Sequence, residues 1–275
     1  MEKVNWTGRL AMRGAAVTVE QMDLWFRDLG GDGSPIVILH GLFGSSQNWA
    51  GMGRRLASEG HVYGLDLRNH GESPHAPTHT LQDCVQDVVD WSEAHAPGPL
   101  RLIGHSMGGL VSMGFALRHP ERTAGLAVID IAPRPYPPEH SEELRALKTD
   151  ISACRSRADI DSLLQPIVPD LRTRQFIMTN VAREGDGFRW KPNVEVLEHR
   201  EVASDWASVT GRYEGETLLV AGGRSGYVRP EDHPLMRRFF PRARILTLAT
   251  ADHWPHVTAP EELETALRDF LRRVQ

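Results

Sequence analysis

The chain's 275 residues, 40% hydrophobic and 24% charged, suit one large α/β domain or a core carrying an insertion. A net charge of −5 without a basic stripe argues against nucleic acid as a partner, and no apolar run approaches the roughly 20 residues of a membrane span. Cys84 and Cys154 are the whole cysteine complement, and the first residues lack a basic segment followed by an apolar one, so the expected setting is cytoplasmic, without disulfides or a signal peptide.

Val17 to Asp28 alternates loosely and reads as strand, followed by the turn Gly30-Gly31-Asp32-Gly33-Ser34. Ile36 to Leu39 is a continuous apolar run, the pattern of a parallel strand covered on both faces, and it ends in His40-Gly41-Leu42-Phe43-Gly44. The pattern then predicts a helix over Trp49 to Ser58 and a strand over His61 to Leu67. From Leu81 to His95 the apolar residues Leu81, Val85, Val88, Val89 and Trp91 fall on helical spacing. Leu100 to Ile103 is the next strand, Gly109 to His119 a helix, and Gly125 to Ile131 another buried strand.

A proline cluster between Pro133 and Pro138 breaks this alternation. From Pro133 to about Arg212 the pattern is helical and irregular, with Glu143 to Lys148 and Ile160 to Leu164 as helix pieces. Alternation resumes with a strand over Thr217 to Ala221, a helix near Pro234 to Phe240, a strand over Arg244 to Leu248 and a helix from Glu261 to Val274. Strands alternating with helices imply an α/β fold with a mostly parallel sheet and helices on both faces. The core is expected over 1–132 and 213–275. Residues 133–212 would form a helical cap, inserted between two late strands and laid over the carboxyl ends of the strands, where ligands bind in such sheets.

The most informative residues are Gly104-His105-Ser106-Met107-Gly108, which fit G-x-S-x-G. Strand, sharp turn and helix is the context of a nucleophile elbow, which makes Ser106 the candidate nucleophile. Cβ atoms at 104 and 108 would collide where strand and helix pass closely. A serine hydroxyl needs a general base. His253, just after the last strand, is that base, with His256 as competitor. An oxyanion hole needs backbone N–H groups: Met107 follows the nucleophile, and Leu42 lies in the loop after the first apolar strand. His40 reads as a residue pinning that loop.

The acid is less direct. The loop after Thr217 to Ala221 holds Ser225 where an aspartate is usual, and Asp232 lies too far on. Asp130 ends the preceding apolar strand, where a carboxylate is costly without a partner such as a histidine N–H. Asp130 is therefore the acid of choice, with Ser225 supporting it, against the alternative of a helix cap or an ion pair with Arg134.

Five segments resemble the α/β-hydrolase superfamily: His40 to Ser45, Asp66 to Pro74, Gly104 to Gly109, Asp130-Ile131-Ala132-Pro133 and His253-Trp254-Pro255-His256. Within it the Asp-Leu-Arg-Asn-His-Gly and Val-Ile-Asp-Ile-Ala-Pro runs are similar to small bacterial acyl esterases of the YbfF type and their mitochondrial abhydrolase-domain relatives. That resemblance implies the α/β-hydrolase fold, an acid after the earlier strand and a serine at the usual acid position. Asp252 departs from the glycine common before the histidine and remains a third acid candidate.

Asp66 and Arg68 read as loop braces. His70, His75 and His79 lack the partners of a metal set, so neither metal nor cofactor is assigned. Trp190, Trp206 and Tyr136 would line an acyl pocket or pack the cap. Between 133 and 212 there are 12 Lys plus Arg against 13 Asp plus Glu, so a strongly anionic substrate gains no general attraction. The expected activity is serine-dependent cleavage of carboxylic esters of small to medium acyl substrates, with a thioesterase as an alternative, and the expected partner is a small-molecule ester or thioester. Lactonase, amidase, acyltransferase and carbon–carbon hydrolase chemistry use the same groups. A low-turnover ligand-binding protein is the reading from another class, and a homodimer is compatible with the sequence.

Overall fold

Alternate residues of one apolar run face opposite sides of a strand, so a run such as Ile36 to Leu39 needs cover on both faces. A computed structural model, which describes residues 22–136, 141–199 and 201–275, shows how that cover is supplied. The core strands are β1 (Phe26–Gly30), β2 (Pro35–Leu39), β3 (His61–Leu65), β4 (Leu100–His105) and β5 (Thr123–Ile129). An inserted segment contains β6 (Val181–Glu184) and β7 (Gly187–Trp190), and the core resumes with β8 (Thr217–Gly222) and β9 (Ala243–Leu248). Among the described residues seven strands form one sheet in the order β1-β3-β2-β4-β5-β8-β9, and of these only β1 is antiparallel to its neighbour.

The core helices are α1 (Ser46–Leu56), α2 (Leu81–His95) and α3 (Met107–Arg118). The inserted segment adds α4 (Ser141–Leu147), α5 (Arg157–Leu164), α6 (Leu171–Met178), α7 (Val194–Leu197) and α8 (Glu201–Asp205). The chain then forms α9 (His233–Phe239), α10 (Pro255–Thr258) and α11 (Pro260–Arg273). Strand parity divides the core. Ile36 and Ile38 pack with Trp49 and Leu56 of α1 and Leu263 and Leu267 of α11. Val37 and Leu39 pack with Val85 and Val88 of α2 and Leu110 and Val111 of α3. No described helix is long and apolar enough to cross a membrane.

The inserted segment lies between β5 and β8 and has a core of its own, including Leu147, Ile160, Leu164, Ile177 and Phe188. Its last part instead joins the main core, where Val202 and Trp206 are buried with α2 and α3 residues. The sequence pattern reads as helical and irregular here and names no strand, whereas the structure also has the antiparallel pair β6 and β7. These four-residue strands are too short for alternation to stand out. The helix α6 was likewise not separated from irregular chain. Most predicted core elements differ by small end shifts; of the first strand reading, Val17 to Gln21 lie outside the described residues and Met22 to Trp25 are not strand, which begins at Phe26.

Candidate active site

Every parallel strand ends at the same edge, so the residues just beyond β2, β4, β5, β8 and β9 meet there. Ser106 joins β4 to α3 with φ 52° and ψ −122°. This backbone conformation costs a side-chain-bearing residue about 1–3 kcal/mol. The flanking glycines make the turn feasible. A Cβ on Gly104 would lie 2.4 Å from the Gly108 carbonyl oxygen, and one on Gly108 would lie 2.4 Å from that of Leu39.

His253, beyond β9, brings Nε2 to 3.0 Å from Ser106 Oγ. Its Nδ1 lies 2.8 Å from Asp130 Oδ2. Asp130 is fully buried, and its Oδ1 accepts the Gly222 backbone N–H at 2.8 Å. With Nδ1–H donating to Asp130, the Nε2 lone pair faces the serine hydroxyl, which is the tautomer a general base requires. His105 Nε2–H donates to the His253 carbonyl at 2.7 Å and so holds the loop. Burial depresses the His105 pKa well below the usual histidine range.

The loop after β2 closes on Ser106. Gly41 approaches so nearly that a Cβ there would sit 3.2 Å from Ser106 Cβ. The Gly41 carbonyl accepts from His40 Nδ1 at 2.8 Å and from the Gly44 N–H at 2.9 Å. His40 Nε2 accepts the Leu67 N–H at 3.0 Å, so this ring is a brace, as the sequence suggested. Leu42 lines the cleft beside Ser106. Met107 opens α3, where the first N–H groups have no intrahelical acceptor. The Phe43 carbonyl accepts from Asn180 Nδ2 at 2.7 Å, and the Phe43 ring is buried in the inserted segment's core.

The other candidates have other partners. His256 stacks on Trp49 with ring centroids 4.3 Å apart, and burial lowers its pKa to about 4. Asp252 pairs with Arg172 of α6 at 2.6 Å and accepts the Trp254 N–H at 2.8 Å. Asp232 pairs with Arg134 at 2.9 Å. Ser225 Oγ accepts the Tyr227 N–H at 3.2 Å, and the support to Asp130 anticipated from Ser225 comes from Gly222 instead. Asp66 accepts the N–H groups of Ser46 and Glu72, and Arg68 forms a two-pronged pair with Asp87, so both brace loops. His70, His75 and His79 contact the Arg68 carbonyl, the Lys191 carbonyl and Met107 Sδ respectively. Among the described residues no group of three or more His, Cys, Asp or Glu is arranged to hold a metal ion.

Trp190 donates to the Thr149 carbonyl, Trp206 is buried in the main core, and Tyr136 bonds to Ala132 and Tyr227. None of these three lines the cleft. Its walls are Trp49, Glu143, Phe176, Trp254 and His256, around about 470 Å³ of space that includes the open mouth. Phe176 and Glu143 come from α6 and α4, and Phe176 also packs on Trp254 at 5.6 Å. Their only sequence signal was membership of the inserted segment.

Residues 34–166 match the family described as alpha/beta hydrolase fold. The chain is 34% identical over 262 residues to the sn-1-specific diacylglycerol lipase ABHD11 of Mus musculus, spanning 91% of this chain and 85% of that protein. It is 31% identical to Esterase YbfF of Escherichia coli (strain K12), spanning 86% and 93% of the two chains. The solved structure of a marine microorganism esterase superposes with a TM-score of 0.86 at 31% identity, covering 90% of this chain and 99% of that one. The chain belongs to the α/β-hydrolase family, as its fold and these relatives establish. Within that family it is a carboxylesterase-type hydrolase.

Proposed function

We propose that the protein cleaves carboxylic esters of small to medium acyl groups through Ser106, His253 and Asp130, with an acyl-enzyme intermediate. The observation that carries this reading is the hydrogen-bonded chain from Ser106 Oγ through the His253 ring to Asp130, at 3.0 and 2.8 Å. Ser106 Oγ attacks the ester carbonyl while His253 Nε2 takes its proton. The backbone N–H groups of Leu42 and Met107 hold the oxyanion. As the tetrahedral intermediate collapses, the imidazolium protonates the leaving alcohol. Water then gives a proton to His253, attacks the acyl-enzyme and releases the acid, and Ser106 recovers its proton. Asp130 orients the ring and stabilises its charged form throughout.

Residues 133–212 serve as the cap in this reading. Phe176 and Glu143 form a roof over Ser106, and Phe176 with Trp254 and Trp49 offers an apolar wall to an acyl chain. The same groups would cleave a thioester, since only the leaving group differs. The test is hydrolysis of p-nitrophenyl esters from acetate to palmitate by wild type and Ser106→Ala. Activity in wild type alone, with an optimum short of palmitate, supports the proposal. Activity retained in Ser106→Ala overturns the nucleophile. The mouse relative is named for diacylglycerol, so a diacylglycerol is added to the panel. Preference for it over every short ester would replace the acyl-size reading.

A further inference from the structure

Two hydrogen bonds, one at each nitrogen, leave an imidazole ring one soft motion: rocking about the line that joins them. In this structure that motion is blocked. Tyr227, in the loop after β8, lies ring to ring with His253, with centroids 3.9 Å apart and planes inclined by 18°. Tyr136 stacks on Tyr227 in turn at 5.6 Å and 29°. The Tyr136 hydroxyl donates to the Tyr227 carbonyl at 2.7 Å and accepts the Ala132 N–H at 2.7 Å. Burial raises the Tyr136 pKa, which keeps this hydroxyl a donor. Arg134 lies over the Tyr136 ring at 4.0 Å and is itself held by Asp232 at 2.9 Å. The loop that lacks an aspartate at position 225 thus presents an aromatic face to the histidine, anchored through Tyr136 to the first residues beyond β5.

We propose that Tyr227 is a positioning residue for the reaction, and the proposal rests on the Ser106–His253–Asp130 reading. Its ring fixes the imidazole plane between Ser106 and Asp130, and its π face stabilises the imidazolium that forms when His253 takes the serine proton. The negative face of an aromatic ring attracts a cation, and the attraction grows when water is excluded. The other groups facing His253 leave this role open. Asp130 is the acid partner, His105 and His256 are held neutral by burial, Asp252 is paired with Arg172, and Glu143 lines the same cleft.

The experiment compares wild type with Tyr227→Leu, Tyr227→Met, Tyr227→Phe and His253→Ala, using the p-nitrophenyl ester that wild type cleaves best. Steady-state constants and the pH profile of kcat/KM are measured for each. Tyr227→Leu and Tyr227→Met, which fill the space without a π face, should lower kcat about three- to thirtyfold with little change in KM. The acid limb of their profile should move to lower pH, because the charged ring has lost a stabilising neighbour. Tyr227→Phe should restore kcat to within about twofold and return the limb to its place. Wild-type kcat in either aliphatic variant overturns the proposal. So does a loss that Phe fails to restore, or one with the profile unmoved, because simple packing would produce it. Full activity in His253→Ala would remove the reading beneath, whatever the Tyr227 variants show.

Discussion

The buried Asp130 carboxylate divides its oxygens between two donors, the Gly222 backbone N–H and His253 Nδ1–H, each at 2.8 Å. Satisfying both oxygens offsets the cost of burying a carboxylate, and it fixes the carboxylate plane against the imidazole. Asp130→Asn would present an amide that donates to His253 Nδ1 and forces the wrong tautomer. The expected loss is roughly 10³–10⁴-fold in kcat. Asp232→Asn and Asp252→Asn, whose carboxylates pair with arginines instead, should stay within about tenfold of wild type. Steady-state kinetics on one ester decides the ranking.

Gly108 is a packing requirement of the elbow. A Cβ there would meet the Leu39 and His40 carbonyl oxygens at 2.4 and 2.5 Å, and backbone atoms cannot swing aside. Gly108→Ala should cost about 1–3 kcal/mol of stability, measured by urea unfolding. It should also push the start of α3 and with it Met107, lowering kcat about 100-fold.

Acid should destabilise the fold through its buried histidines. Burial lowers the pKa of His256 from 6.5 to about 4 and that of His79 from 6.5 to about 3. The unfolded chain therefore takes up protons before the folded one as pH falls below 6.5. The stability these rings contribute is complete above that pH and is lost progressively as pH falls towards 4 and then 3. Urea midpoints compared at about pH 7.5 and 5 should decline, and the decline should shrink in His256→Gln. Equal midpoints in wild type at the two pH values would contradict this account.

Phe176 is the roof residue most open to test. It is half-buried on α6 and shared between the cleft and Trp254. Phe176→Ala should raise KM for the best acyl ester about tenfold and move the chain-length optimum towards longer acyl groups. An unchanged optimum would place the acyl chain against another wall.

The sheet was legible because parallel strands covered on both faces are continuous apolar runs, and Ile36 to Leu39 is buried throughout. The pairing of Ser106 with His253 was legible because both sit at strand ends that the topology brings to one edge. Asp130 was legible as a carboxylate at the end of an apolar strand. The second donor to it was not, since Gly222 acts through its backbone and carries no side-chain signal. The roof was illegible for another reason. Phe176 and Glu143 line the cleft of Ser106 because the inserted segment packs on its own core, and no local period records that placement. Tyr227 stacks on a residue 26 positions further along the chain, and only the closed loops bring the rings together.

Phe43 sits in the loop that carries Leu42, yet its ring is buried among residues of the inserted segment and its carbonyl is held by Asn180. The inserted segment and the loop that carries Leu42 are therefore packed together, although one follows β5 and the other precedes β3. A chimera that exchanged 133–212 alone for a foreign roof would strand a phenyl ring in water and release the carbonyl beside Leu42. A graft of the inserted segment should therefore carry residues 41–45 with it.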